Sequence, residues 1–289
     1  MDILMNYAFQ IIALGTALLA AVAAPVGALS VYKGQSLIGD AIGHATFPGV
    51  VLAFMAFSTR SPAVLLVGAM AAAAVTFFAI QAAHENTRVG LNANLAVFLS
   101  GFFGLGMVLK SFIQGNEAYR GASQAGLETY IFGQAAYMLE ADVKLIAFVA
   151  ALCAALLFAF YKELKVFVFD AEYARAVGLP VSLLQVLLPF LTIAVIGIGI
   201  KAVGAILISS FLIIPCVAAS QWSDDFAHVL FLSAVFGVVA ALAGTYVSTL
   251  EQGMSTGPSI ILAASAIAFL SMFFGKRGAF RKRGRREEA

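Results

Sequence analysis

Long, continuous apolar runs constrain the fold of this chain more than any other feature of its sequence. About nine runs of roughly 20 residues follow one another, and a helix of that length can cross the hydrocarbon core of a bilayer. The sixth and seventh runs are separated only by Lys201 and Ala202, so they form a tight hairpin or include a half-crossing. The predicted spans are approximately Ala8–Leu29, Leu37–Phe57, Ala63–Ala83, Asn92–Ile113, Val143–Tyr161, Leu183–Ile200, Val203–Gln221, His228–Leu250 and Gly257–Phe274.

The composition excludes a soluble domain and a membrane barrel. Of the 289 residues, 62% are hydrophobic and only 11% are charged, against averages of about 45–50% and about 25%. Barrel strands would show alternation over about ten residues instead of continuous runs. We therefore predict an all-α polytopic membrane protein with about 8–9 transmembrane helices. The N-terminus lacks a positively charged region, so no cleavable signal peptide is expected.

The distribution of Lys and Arg residues predicts the orientation of the spans, because short cytoplasmic loops carry an excess of basic residues. The C-terminal tail, residues 276–289, contains seven basic residues and is predicted to be cytoplasmic. Counting back through nine spans places 12 basic residues on that side and 5 on the other, with the N-terminus outside. If one run is a half-crossing, eight spans remain and the N-terminus changes sides.

The second predicted span, SLIGDAIGHATFPGVVLAFM over residues 36–55, contains Asp40 and His44. Residues four apart lie one turn apart on the same face of a helix. An ionisable side chain inside a bilayer costs about 2.5 kcal/mol or more and is rarely placed there without a partner or a water-filled path. The pair is therefore either part of a divalent-metal site, for which carboxylate and imidazole are suitable ligands, or an Asp–His hydrogen bond that joins two helices.

Two glycines and a proline lie close to this pair in the sequence, and a second proline lies in another span. Gly39 and Gly43 have the spacing that lets another backbone approach closely. Pro48 has no N–H, so the carbonyl of His44 loses its helical partner, and we expect a helix that is kinked or opened there. Pro215 predicts a kink in the seventh span for the same reason.

A short charged segment, FDAEYARAVGLP over residues 169–180, separates the fifth and sixth spans. Asp170 can cap a helix that runs to about Val177, Gly178 can end it in the left-handed conformation, and Pro180 prevents its continuation. A helix of about two turns is marginal alone. The segment therefore either docks on a protein surface or is a solvated connector.

The segment Gln114–Asp142 is the least apolar stretch between spans. Its second half, Gly126–Met138, is aromatic and amphipathic. It is either a helix at the outer interface or dipping into the bundle, or a membrane-surface loop anchored by aromatic residues.

Two absent motifs exclude particular chemistries. No GxxxxGK[ST] phosphate loop occurs, so ATP binding by that route is not predicted. No HExxH occurs, which disfavours an intramembrane metalloprotease.

Four motifs in order resemble the permease subunits of bacterial manganese, zinc and iron ABC importers. Ser36–Val51 resembles their second-helix signature S-L-[IM]-G-D-A-[IL]-x-H-A-x-x-P-G, and Phe169–Pro180 their F-D-x-E-x-A-R-A-x-G-L-P segment. Ala202–Ala219 is similar to A-V-G-x-L-L-x-x-x-L-L-x-x-P-A-A, with Cys216 where alanine is usual, and Ser255–Leu262 to the last-helix T-G-P-x-I-x-L. The resemblance extends from about residue 10 to 275.

The resemblance implies the permease fold of metal and vitamin B12 ABC importers, with one transmembrane domain over residues 1–275. It implies a second permease chain, identical or related, a cytoplasmic ABC ATPase, and an extracytoplasmic metal-binding protein. Asp40 and His44 match the family residues that contribute to the metal site. The segment around residues 166–181 matches the ATPase-coupling region, whose candidate residues here are Phe169, Asp170, Glu172, Arg175 and Gly178.

The predicted function is therefore import of a divalent transition-metal ion across the bacterial cytoplasmic membrane. Mn(II) is favoured, with Zn(II) or Fe(II) as alternatives, and no permanently bound cofactor or nucleic acid is expected. ATP hydrolysis is assigned to the partner ATPase, so the chain itself is not predicted to be an enzyme. The alternative functions are a permease for a metal chelate or a vitamin B12-like substrate, or an ion-coupled secondary transporter. An organic chelate would not require a buried ligand pair, and a carrier would not require the 169–180 helix.

Overall fold

The structure, a computed structural model, describes residues 6–59, 61–116, 133, 135, 138–251 and 254–278, with the backbone alone of Lys201. Most of the predicted amphipathic segment Gly126–Met138 lies outside these residues. The described residues form ten α-helices and no strand. The helices are α1 (Tyr7–Tyr32), α2 (Ile38–Phe57), α3 (Pro62–Asn86), α4 (Leu91–Gly115), α5 (Glu140–Ala159), α6 (Tyr161–Phe169), α7 (Ala171–Ala176), α8 (Val181–Ser220), α9 (Phe226–Leu250) and α10 (Thr256–Phe274).

Nine stretches of the described chain are long and apolar enough to cross a membrane. Seven of the longer helices supply one stretch each, and α8 supplies two, Val181–Ile200 and Ala202–Ser220. The prediction of an all-helical, multi-pass membrane protein is therefore confirmed, and each predicted span agrees with a helix to within a few residues.

The junction between the sixth and seventh spans is a sharp bend at Gly204. This residue has φ 81° and ψ 165°, a conformation that glycine adopts without the steric cost of a side chain. The side chain of Ile208 lies beside Gly199, whereas a straight helix would separate these positions by about 13 Å. At the two predicted kinks the helices continue: α2 runs through Pro48 to Phe57, and α8 runs through Pro215 to Ser220.

One compact unit contains the described residues of Met1–Ser36, Ala135–Leu191 and Ser210–Ala289. Buried hydroxyl groups link its helices, as is common in membrane bundles. The hydroxyls of Thr16 and Thr245 lie 3.5 Å apart between α1 and α9. The hydroxyl of Ser248 donates to that of Thr256, at 3.2 Å, between α9 and α10.

The two ends of α1 have different neighbours within this unit. The 26 residues of α1 extend about 39 Å. At its beginning, the Tyr7 hydroxyl donates to Glu140 of α5 at 3.4 Å. At its end, the ring of Tyr32 contacts the rings of Phe169 and Phe226. The end of α1, the end of α6 and the start of α9 therefore meet at one end of the unit, far from Glu140.

The second compact unit contains the described residues of Leu37–Gln134 and Thr192–Ser209. Here α2 packs against α3 and α4. The backbones of α2 and α3 touch at Gly49 and Gly68, where a methyl group on either glycine would overlap the other residue's carbonyl oxygen. Large side chains fill the core around this contact, among them Phe47, Phe54, Leu65 and Ile113.

One helix was not predicted. The fifth predicted span ends at Tyr161, but the structure continues from that residue with the nine-residue helix α6. This helix is amphipathic, because Leu164, Phe167 and Val168 are buried while Lys162 is exposed. It leads directly into α7.

Candidate functional site

The candidate site is built on the first turns of α2. This helix begins at Ile38 and ends before Ser58, which adopts the left-handed conformation at φ 49°. Asp40 lies in the first turn, where the positive end of the helix dipole favours a carboxylate. His44 follows one turn later, so the two side chains project from the same face as predicted.

Asp40 and His44 lie side by side without saturating each other's hydrogen-bonding capacity. The Nε2 atom of His44 is 3.5 Å from Oδ1 of Asp40, longer than the usual range of about 2.7–3.2 Å for an N–H···O bond. The side chain of His44 remains 20% exposed and that of Asp40 remains 32% exposed, within a span that is otherwise largely buried. Both residues belong to one helix, so their contact does not join two helices. Both retain lone pairs that a third group can use.

Two residues from other helices complete the surroundings of the pair. The ring of Phe103, on α4, meets the imidazole of His44 edge-on, with centroids 5.1 Å apart at 82°. Ser209, on α8, lies near the Asp40 carboxylate. It is buried, and its hydroxyl donates to the backbone carbonyl oxygens of Ala205 and Ile206, each at 3.1 Å. The carboxylate and the imidazole therefore each have a neighbour on another helix.

Small residues bring those helices close to α2. Gly43 faces Ala205 of α8, with the carbonyl oxygen 3.8 Å from the position of a β-carbon on Gly43. On the α4 side, Gly106 lies against Phe47 and Pro48, and a side chain there would overlap the Phe47 ring. A β-carbon at Gly43 would make an ordinary van der Waals contact with Ala205. Gly39 is buried in the first turn of α2.

The described residues provide only part of a metal coordination sphere. No group of three or more His, Cys, Asp or Glu side chains comes together in the described part of the chain. The pair offers one imidazole nitrogen and one carboxylate, to which the Ser209 hydroxyl adds a neutral oxygen. This oxygen-rich donor set suits a hard or borderline divalent ion, which would keep part of its water shell or take further ligands from elsewhere.

The segment at residues 169–180 also folds as its sequence predicts. The side chain of Asp170 accepts a hydrogen bond from the backbone N–H of Tyr173 at 2.8 Å and so caps α7. Gly178 has φ 80° and follows the helix end, where the N–H of Leu179 donates to the carbonyl of Ala174 at 3.0 Å. The side chains of Phe169, Glu172 and Arg175 are exposed.

Ser209, Phe103 and the contacts of Phe169 were not predicted. Ser209 lies in the apolar run ILISSFLII, where two adjacent serines are the only local signal of a polar role. Phe103 has no such signal, because nothing in its neighbourhood distinguishes it from the other aromatic residues of α4.

Comparison with known proteins places the chain among membrane transport proteins. Residues 5–275 match the ABC 3 transport family. The chain is 36% identical over 265 residues to the manganese transport system membrane protein MntC of Bacillus subtilis, covering 91% of this chain and 60% of MntC. It is 35% identical over 275 residues to the zinc transport system membrane protein TroC of Treponema pallidum, covering 95% of this chain and 91% of TroC.

The fold has a solved counterpart. PsaBC from Streptococcus pneumoniae, determined in complex with a Fab, aligns with a TM-score of 0.82 and 26% sequence identity, covering 99% of this chain and 97% of that one. The family match over residues 5–275, with 35% identity to TroC across most of both chains, shows that this chain belongs to the ABC 3 transport family.

Proposed function

We propose that this chain is the permease subunit of an ABC importer that moves a divalent transition-metal ion into the cytoplasm. The observation that carries the proposal is the Asp40–His44 pair, set 3.5 Å apart in an apolar span with both side chains partly exposed. Two ionisable groups in a membrane span are costly unless they serve a pathway or a ligand. An ion in transit would exchange part of its water shell for the carboxylate and the imidazole.

Manganese is the first choice of substrate, with zinc and ferrous iron as alternatives. The chain is about equally similar to a manganese permease and a zinc permease, so identity alone does not decide. Carboxylate, hydroxyl and water ligands suit Mn(II), whereas zinc sites more often include thiolates. Cys153 and Cys216, the two cysteines of the chain, are both buried and belong to the compact unit that does not contain this pair.

The 169–180 segment is the proposed docking site for a separate ATPase. Phe169 ends α6, Tyr173 lies in α7 and Val177 directly follows α7, and each of the three side chains is more than half exposed. A solvated connector would gain nothing from three exposed apolar side chains, whereas a partner protein could bury them. Glu172 and Arg175 would add polar contacts beside them.

The proposal also includes an orientation in the membrane and a set of partners. The C-terminal tail, residues 276–289, would be cytoplasmic and would follow one permease domain over residues 1–275. A second permease chain, identical or related, would supply further ligands to the ion, and an extracytoplasmic metal-binding protein would deliver it. The protein would lie in the bacterial cytoplasmic membrane.

The test is metal accumulation in cells that lack their own importers. The chain is expressed with its partner ATPase and metal-binding protein, and Mn, Zn or Fe is supplied alone. Cell metal is then measured by mass spectrometry. We expect Mn to accumulate most, and an ATPase variant that cannot hydrolyse ATP to abolish the accumulation. If no metal accumulates above that control, the proposed function is wrong. If only Zn or Fe accumulates, the substrate assignment is wrong.

A further inference from the structure

Three aromatic rings from three different helices contact one another where α6 leads into α7. They are Tyr32 at the end of α1, Phe169 at the end of α6 and Phe226 at the start of α9. Their centroids are 5.6 Å apart for Tyr32–Phe169, and 5.2 Å for both Tyr32–Phe226 and Phe169–Phe226. All three contacts are edge-to-face, with interplanar angles from 63° to 81°. We call these three residues the aromatic joint.

The aromatic joint is directly connected to the docking segment. Phe169 immediately precedes Asp170, the residue that caps α7, so a displacement of α7 displaces the Phe169 ring. Phe226 is only 3% exposed, while Phe169 is 56% exposed and keeps an open face. Edge-to-face contacts depend on ring orientation. The position of Phe169 is therefore defined by rings on α1 and α9 and not by α6 alone.

Two further contacts strengthen the connection. The ammonium of Lys33, directly after α1, lies 4.3 Å from the centroid of the Phe167 ring on α6, a cation–π contact. The ring of Tyr161, at the start of α6, stacks on Phe226 with centroids 6.3 Å apart at 17°. The end of α6 thus contacts α1, Lys33 and α9, and its beginning contacts α9.

The helices that receive these contacts are themselves closely packed. A side chain at Gly27 of α1 would overlap the backbone of Leu212 on α8. A β-carbon at Gly237 of α9 would lie 3.2 Å from the carbonyl oxygen of Ala20 on α1. Such backbone contacts leave little room for one helix to move alone. A displacement at Tyr32 and Phe226 would therefore move α1 and α9 together.

We infer that Tyr32 and Phe226 are positioning residues that transmit movement of the docked ATPase from Phe169 to α1 and α9. This inference rests on the proposed function, because it requires an ATPase on the 169–180 segment. It gives Tyr32 and Phe226, which lie outside that segment, a role in transmitting movement that packing alone would not require. If the joint only fills space, its loss should lower stability without changing the number of ions moved per ATP.

The test uses the complete transporter reconstituted in vesicles, with ATP hydrolysis and metal uptake measured on the same sample. The variants are Phe226→Leu and Tyr32→Leu, which remove a ring, and Tyr32→Phe, which keeps it. Phe231→Leu is the matched control, because Phe231 lies on the same helix and is 67% exposed. Co-purification with the ATPase is measured for every variant.

We expect Phe226→Leu and Tyr32→Leu to retain the ATPase but to move about tenfold fewer ions per ATP, as the loss of two ring contacts predicts. Tyr32→Phe and Phe231→Leu should match the wild type. Unchanged ions per ATP in both leucine variants, or an equal loss in Phe231→Leu, would overturn the inference. So would loss of the ATPase from both leucine variants, because the joint would then serve docking and not transmission. If the wild type itself fails to bind the ATPase, the proposed function fails instead.

Discussion

The described residues include two Asp–His pairs, one in each compact unit, and the surroundings of these pairs differ. Asp225 and His228 lie at the start of α9, with side chains 51% and 74% exposed and the ring nitrogen 3.1 Å from the carboxylate. Asp40 and His44 lie inside α2, with a longer separation of 3.5 Å and far lower exposure. The first pair is at a helix end and in solvent, and the second is within an apolar span.

The difference separates a pair with a structural role from a pair for which we propose a functional role. The Asp225 carboxylate accepts a hydrogen bond from the backbone N–H of His228 at 3.0 Å. It thereby caps the start of α9, and capping alone explains its position. The Asp40 carboxylate sits in the first turn of α2 but does not serve as its cap, because the N-cap is Leu37 and no side-chain cap bond forms. Local structure therefore accounts for one pair and leaves the other available for a ligand.

The largest expected effect distinguishes the two histidines. His44→Ala should reduce metal uptake to background in the cell assay, and Asp40→Ala should do the same, because each removes a proposed ligand. His228→Ala should transport at the wild-type rate, because that imidazole is exposed and lies outside the proposed site. All three proteins should be present in the membrane at comparable amounts by immunoblotting. Equal transport by His44→Ala and His228→Ala would contradict the different roles proposed for the two pairs.

A second prediction concerns Ser209, the residue of α8 near Asp40. Ser209→Ala should raise the KM for the metal about tenfold, as is typical when a partner of a metal ligand is lost, while maximal uptake changes less. The matched control is Ser233→Ala, a buried serine of α9 whose hydroxyl donates only to its own helix, to Leu230 at 2.7 Å. Uptake is measured over a range of free metal. If both variants shift KM equally, Ser209 has no specific role.

The third prediction concerns the packing that supports α2. Gly49→Ala should lower the free energy of unfolding by about 1–3 kcal/mol, because the added methyl overlaps the backbone of Gly68. Gly101→Ala on α4 is the control, since nothing lies within 4 Å of a β-carbon there. Thermal melts of the purified proteins give the comparison. A Gly49→Ala protein as stable as Gly101→Ala would mean that α2 and α3 can separate at little cost.

The smallest effect is expected at the exposed pair. The backbone N–H of His228 holds the pKa of the Asp225 carboxyl below its ordinary value. A depressed carboxyl pKa stabilises the fold above the unfolded-state pKa, about 3.9, and this contribution is lost as pH falls through the folded-state value. Asp225→Ala should therefore lower the Tm slightly at neutral pH, with a difference that narrows below about pH 4. Transport should not change. A difference in Tm between Asp225→Ala and the wild type that does not change with pH would contradict the capping role of the carboxylate.

Local features were predictable from the sequence, and contacts between distant segments were not. The capping by Asp170 and the left-handed Gly178 follow from neighbouring residues, and the shared face of Asp40 and His44 follows from helical spacing. Ser209 lies far along the chain from Asp40, and no periodicity connects the two. The aromatic joint likewise combines three remote segments.

One difference from prediction has a local physical reason. Helix α6 was missed because Lys162, Glu163 and Lys165 interrupt the apolar run, although the helix continues with a buried face. Helices α2 and α8 continue through Pro48 and Pro215, because a proline removes one hydrogen bond without forcing the helix to end. Glycine instead marks the break, at Gly204, where the backbone needs a positive φ.

The most direct test of the metal assignment is pulsed electron paramagnetic resonance of Mn(II) bound to the purified transporter. This method detects the magnetic coupling of the metal to a coordinated nitrogen. Wild type and His228→Ala should both show the nitrogen coupling of an imidazole ligand, and His44→Ala should lose it. Nitrogen coupling that persists unchanged in His44→Ala, or that is absent from the wild type with Mn(II) bound, would contradict the proposal that His44 is a ligand for the transported ion.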